Sequence, residues 1–157
     1  MIFYRFLRAS KKKNYYIQIE MQDLKVLTIK LKFIVVSVPS IILVKCLLFI
    51  LPLDSALKNI QKLSRFLLSK NQELLPIQRI DNWCSKLDMI VRIKSCFVDC
   101  LSKKTIYSYF GHDLTVVCGV RFDDELNFRG HAWLCYQDQV IFQKVDEIKM
   151  YVESFRV

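Results

Sequence analysis

From Leu24 the chain is mostly apolar, and between Phe33 and Leu53 it is almost continuously so, interrupted by Pro39, Lys45 and Pro52. A bilayer span takes roughly 20 apolar residues, so this run is long enough. A lysine near its middle and a proline inside it argue against a simple span. The preferred reading is a pair of helical segments broken near Pro39 that wall the domain, with surface association as the intermediate case. Pro52-Leu53-Asp54-Ser55 reads as a stop followed by a new start, with Asp54 or Ser55 as N-cap. Leu57, Ile60, Leu63, Leu67 and Leu68 then recur at helical spacing, with Lys58, Lys62 and Arg65 outward. Asn71 to Pro76 breaks this helix. A third follows from Ile77 to Lys94, with Ile80, Trp83, Cys84, Leu87, Ile90, Val91 and Ile93 on its periodic positions.

After Lys94 the pattern changes. Ser95 can cap a helix that begins at Cys96 and runs to Gly111, where glycine supplies the left-handed C-terminal position. Leu114 to Arg121 is β-branched and apolar and reads as a buried strand. A polar loop from Phe122 to Arg129 leads to a second strand, Gly130 to Tyr136. Gln137-Asp138 then turns the chain into an antiparallel third, Gln139 to Gln143, although Gln-Asp is a poorer turn than Asp-Gly. The tail, Lys144 to Val157, reads as a short helix or strand with Ile148, Tyr151, Val152 and Phe155 inward. The fold class is α+β, a helical N-terminal half packed on a small antiparallel sheet. Residues 1–23 form a basic aromatic segment with a break at Lys11 to Asn14, residues 24–94 a hydrophobic helical region and residues 95–157 the core, with 24–157 one structural domain.

Composition adds two constraints. Lys and Arg number 24 against 15 Asp and Glu, a formal charge of +9. This suits an anionic partner, such as an acidic peptide or the inner face of a membrane. No nucleic-acid-binding motif accompanies the charge, so nucleic acid is not expected. The six cysteines, Cys46, Cys84, Cys96, Cys100, Cys118 and Cys135, follow an N-terminus too short and aromatic for a secretory signal, which points to free thiols in the cytoplasm. Apart from Cys96 they are expected to be buried small hydrophobes.

The candidate chemistry rests on Cys96 and His131. A thiol in the first turn of a helix meets unpaired backbone N–H groups at the positive end of the dipole, an environment that favours a negative sulfur. A histidine within hydrogen-bond reach can take its proton, and the backbone N–H of Cys96 can help hold an oxyanion. Of the two histidines, His112 follows a turn glycine and reads as a solvated loop residue. His131 lies on a strand beside Trp133, where catalysis and simple core packing are both open.

Cys96, Phe97, Cys100, Leu101, Ile106, Tyr107 and Gly111, then Val116 to Arg121, then Gly130-His131-Ala132-Trp133-Leu134 and Val140-Ile141, together resemble the transglutaminase-like leader peptidases of lasso-peptide maturation. The likeness covers roughly residues 24 to 145. It implies a transglutaminase/papain-like cysteine protease core that removes the leader from a ribosomally made bacteriocin-type precursor through a Cys96 thioester, with His131 as base. The family's third member is an aspartate after the hairpin, and the matching position here is Gln143. A glutamine oxygen can orient the imidazole but stabilises imidazolium less, and Asp138 or Asp146 are the substitutes within reach in sequence. The resemblance also implies a separate leader-recognition protein and a separate ATP-dependent cyclase. No cofactor is implied for the chain itself, and any ATP dependence of the maturation complex is left open.

Two other readings compete. The first is a catalytically weakened, membrane-associated maturation subunit that uses the apolar run to recruit partners to an exporter. The second is a zinc site formed by Cys96 and Cys100 with His131 and Cys135, for which four residues along a strand is an awkward ligand spacing.

Overall fold

The computed structural model describes residues 2–70, 75–123 and 127–157; for residues 2–23, 25 and 70 it describes the backbone alone. The linker Asn71 to Leu74 and the centre of the acidic loop, Asp124 to Leu126, lie outside the described residues. Packing divides the chain into two units, Met1–Val36 and Ser37–Val157.

Helix α1 runs from Ile2 to Ile50 without interruption. Neither the break expected at Lys11 to Asn14 nor the one expected at Pro39 is present. Proline removes one backbone donor and crowds the preceding turn, yet the helix continues through it, with Ser37, Ser40 and Ile41 buried around it. In the first unit Leu27, Leu31, Ile34 and Val35 are exposed. In the second, Ser37, Ser40, Ile41 and Val44 form a buried stripe at the i, i+3, i+4, i+7 spacing of one helix face. Most of the rest of that segment, including Ile42, Leu43, Phe49 and Ile50, is exposed, while Leu47 and Leu48 are half-buried. Lys45 and Cys46 are exposed as well, so Cys46 is not the buried hydrophobe the sequence suggested. The part Val26–Ile50 is long and apolar enough to cross a membrane by length and composition.

Helices α2 (Leu53–Lys70), α3 (Ile77–Val91) and α4 (Cys96–Tyr109) follow. Ala56, Ile60 and Ser64 form the buried stripe of α2, and Ile80 and Cys84 that of α3. Ile90, placed inward by periodicity, is 79% exposed. It lies in the last turn, just before Arg92 takes the left-handed conformation (φ 47°) and ends the helix. Gly111 has φ 88° just after α4, the conformation for which a glycine is favoured.

Four antiparallel strands follow: β1 (Thr115–Phe122), β2 (Phe128–Tyr136), β3 (Gln139–Ile141) and β4 (Val152–Arg156), in the spatial order β3-β2-β1-β4. Between β3 and β4 lies the single turn α5 (Val145–Ile148). Gln137 and Asp138 both have positive φ, 51° and 61°. The chain therefore accepts the primed-turn conformation that suits a two-residue hairpin without the usual glycine. Ile148 is buried in the tail as expected, but Val152 is 72% exposed because β4 is an edge strand.

Helix α4 is the centre of the second unit. It packs against α2, β2, β1 and α3, and Cys100, Leu101, Ser102, Lys104, Thr105, Ile106, Tyr107 and Ser108 are all buried. A helix enclosed on every side has little water to satisfy its polar groups, and while Tyr107 Oη and Ser108 Oγ have no partner among the described residues, others are bonded locally. Ser102 Oγ donates to Val98 O at 2.7 Å and Thr105 Oγ1 to Leu101 O at 3.0 Å. Lys103 Nζ sits 2.9 Å from Asp88 and 2.8 Å from Asp99, which ties α4 to α3. Burial alone would lower the Lys103 ammonium, but its hydrogen bonds to Asp99 and Asp88 prevail and hold it above the ordinary lysine range.

The Lys103 linkage gives a test. A lysine raised in the folded state contributes stability that is complete below the unfolded value of 10.5 and is lost as pH rises through the folded value. Lys103→Met strands two carboxylates. It should therefore cost roughly 2 kcal/mol at pH 7 and flatten the alkaline limb of stability above about pH 10.5, both measured by urea unfolding.

Candidate active site

Ser95 has extended backbone (φ −99°, ψ 119°) and its hydroxyl accepts from the Val98 amide at 3.5 Å. This cap starts α4 at Cys96, so the half-buried thiol occupies the first helical position. Asp99 N donates to Ser95 O at 3.0 Å, while the amides of Cys96 and Phe97, ahead of it, have no intrahelical carbonyl to bond.

His131 lies on β2, and its Nε2 is 3.2 Å from Gln143 Oε1. An amide oxygen can only accept, so Nε2 is the donor and Nδ1 carries the free lone pair. Trp133 stacks beside the ring (centroids 6.2 Å apart, planes 28°), and Tyr151 lies 5.3 Å from it. Gly119 makes this cover possible. It pairs with His131 across the sheet, and a Cβ there would lie 2.7 Å from Trp133 Cη2 and 3.0 Å from Tyr151 Cβ. The guanidinium of Arg121 extends the stack, 5.0 Å from the Tyr151 ring centre.

Gln143 stands two residues beyond β3. The chain reaches it through Phe142, whose φ of 65° is unusual for an aromatic residue and costs about 1–2 kcal/mol. The Phe142 ring packs 5.8 Å from Tyr107 of α4, a contact that offsets part of the strain. The two alternative acids are engaged elsewhere. Asp138 pairs with Arg156 at 3.0 Å and Asp146 with Lys149 at 3.0 Å, both at the surface.

His112 is not the solvated loop residue the sequence suggested. It is 8% exposed, its Nε2 lies 2.6 Å from Leu75 O, and its ring stands edge-on to Tyr107 and Tyr136. The turn after Gly111 folds back under the helices instead of projecting outward.

Successive residues of a strand face opposite sides of the sheet. His131, Trp133 and Gly119 share the side covered by Tyr151, whereas Ala132 and Cys118 share the side that meets α4. On that side Cys100 Sγ donates to Ala132 O at 3.4 Å, and Phe97 packs 6.2 Å from Phe155, the strand partner of Cys118. The Cys96 sulfur is close enough to Cys100 and Cys118 to add to the rise in both thiols, for which burial is the main cause. Among the described residues, no hydrogen bond joins Cys96 to either nitrogen of His131. The structure thus brings His131 and Gln143 together and leaves the thiol as a separate half-site. Cys135 is on the His131 side of the sheet, away from Cys96 and Cys100, and among the described residues no group of three His, Cys, Asp or Glu side chains is placed to hold a metal ion.

Residues 44–157 match the family model of the transglutaminase-like superfamily. That stretch is more than half of the chain and contains α2 to β4, so the chain belongs to the transglutaminase-like superfamily, which includes cysteine proteases. No curated protein and no solved structure matches it.

Gly119, Tyr151 and Phe142 are the contributors that the sequence did not single out for the site. Gly119 was within reach, because it falls opposite His131 once β1 and β2 are paired. The positive φ of Phe142 has no sequence signal.

Exposure and burial rank the thiols. Burial pushes Cys84 up to about 12 and Cys118 up to about 11, and it raises Cys100 and Cys135. Timed iodoacetamide labelling of the folded protein at pH 7.5, read by peptide mass, should modify Cys96 and the exposed Cys46 first. The other four should react only after unfolding.

Proposed function

We propose that this protein is a cysteine peptidase that removes the leader from a lasso-peptide precursor. Membership of the transglutaminase-like superfamily supports the cysteine-hydrolase class. The observation that carries the reading is the 3.2 Å contact between His131 and Gln143, which leaves Nδ1 as the basic nitrogen for a thiol. In the reaction Nδ1 takes the Cys96 proton and the sulfur attacks the scissile carbonyl carbon. The imidazolium then protonates the departing amine as the C–N bond breaks, leaving a thioester. Water, deprotonated by His131, cleaves the thioester to the leader carboxylate and restores the thiol. The Cys96 and Phe97 amides are the oxyanion donors. Cys96 and His131 must meet for this sequence. Because the imidazole lies on the sheet face away from α4, precursor binding has to change the path of β2 so that His131 comes round to the thiol. A separate leader-recognition protein presents the precursor, and an ATP-dependent cyclase receives the product. The apolar helix Val26–Ile50 attaches the enzyme to the inner face of the membrane, with its chemistry in the cytoplasm.

One observation favours a second reading. The thiol is not bonded to the histidine, and a glutamine stands where the family has an aspartate, a combination expected of a subunit that keeps the fold and recruits partners without catalysis.

Both readings are decided by incubating a lasso precursor and its leader-recognition protein with wild type, Cys96→Ala, His131→Ala and Gln143→Asp proteins and weighing the freed leader. The peptidase reading expects release by wild type, none from the Cys96 and His131 variants, and release at least about tenfold faster from Gln143→Asp, since a carboxylate stabilises imidazolium better than an amide. Release that survives Cys96→Ala sinks it. Should the chain act as a recruiting subunit, maturation in cells tolerates Cys96→Ala and fails when charged residues are placed between Ile41 and Leu51. Attachment itself predicts that the wild type sediments with vesicles after a high-salt wash, and that a variant with Ile34, Val38 and Ile42 changed to Lys does not.

A further inference from the structure

A cavity of about 190 Å³ lies between α2, α4 and the start of β1, lined by Gln61, Ser64, Arg65, Lys104, Asp113 and Thr115, with Val157 as its apolar side chain. Its size is well above the ~10–15 Å³ that a single water needs. Ser64 is 2% exposed, and its Oγ has no hydrogen-bond partner among the described residues. A serine inside a helix can bond the carbonyl one turn back, as Ser102 does in α4. Ser37, Ser64 and Ser108 leave that bond unmade, and of these three Ser64 lines the cavity.

Two cations border the same space. Lys104 is 7% exposed. One of its three N–H groups goes to Leu114 O and another faces Asp113 at 4.0 Å, so a third remains. Burial lowers the Lys104 ammonium, and the neighbouring charge of Arg65 lowers it further, against the pull of Asp113. Asp113 is the one acidic side chain in the lining, and it is 73% exposed. A buried hydroxyl without a partner, a spare ammonium donor and a guanidinium around one small space define a receptor for negative oxygen.

We propose that this cavity binds a single oxyanion group, a phosphate or a carboxylate, with Lys104 and Arg65 supplying the charge and Ser64, Thr115 and Gln61 supplying neutral hydrogen bonds. Lys104 lies eight residues beyond Cys96, about 12 Å along α4, so the site is distinct from the thiol and stands whether or not the peptidase reading does.

The test is thermal unfolding of the purified full chain in inorganic phosphate, or with a capped peptide bearing one glutamate, each compared with chloride at equal ionic strength. A glutamine version of the peptide is the control. The expected result is a saturable rise in Tm of several degrees with at least one anion. The rise should vanish in Arg65→Gln, and in Ser64→Ala the affinity should fall about tenfold. In chloride alone Arg65→Gln should match the wild type, because Arg65 is exposed. Ser64→Ala should match or exceed it, because an unpaired buried hydroxyl has been removed. A response to phosphate alone assigns a phosphate ligand. A response to the glutamate peptide but not its glutamine twin assigns an acidic side chain. No saturable response to either anion, or one that Arg65→Gln leaves intact, overturns the proposal.

Discussion

The enclosure of α4 sets the conditions for the rest of the second unit. A helix with helices on one side and a sheet on the other has no solvent face to hold its polar groups, and most of them are met locally, the Tyr107 and Ser108 hydroxyls excepted. The hydroxyls of Ser102 and Thr105 turn back onto the helix. Lys103 is held between two carboxylates, and Lys104 reaches a loop carbonyl. This enclosure fixes the axis of the helix, and with it the place where its first residue, Cys96, emerges half-covered beside unpaired amides. Pairing also restricts the alternatives, because a shift of α4 by one residue would separate Lys103 from Asp88.

The same packing explains how much of the fold could be read directly. Strand β1 and the buried end of β2 were legible because their side chains meet solid neighbours on both faces and the apolar run is unbroken. The start of α4 was legible because a serine before a helical stretch has few other uses. Ile90 and Val152 were misplaced because hydrophobicity marks what a residue tolerates, while exposure is decided by where a helix stops or which strand stands at the edge. Pro39 was misread because a local rule says a proline should break a helix, whereas α1 continues through it with one face buried on either side. His112 shows the limit of reasoning from neighbours in sequence, since its partner is the carbonyl of Leu75, far back in the chain.

For the site, the sequence identified the residue types, and the structure shows how they are held. Trp133 and Tyr151 dry one side of the imidazole, and a glycine on the adjoining strand gives them room to lie flat. Gln143 accepts from the ring and orients it. In the proposed reaction, pairing with the Cys96 thiolate would have to supply the stabilisation that a carboxylate otherwise gives an imidazolium.

The left-handed residue Phe142 has a wider consequence. Strand pairing ends at Ile141, and after the kink the side chain at 143 is carried by a segment that contributes nothing to the ladder. Its identity is thus uncoupled from folding. An acid, an amide or an inert group could stand there without disturbing a single strand bond, so the group that faces His131 can change while the sheet that carries the histidine stays as it is.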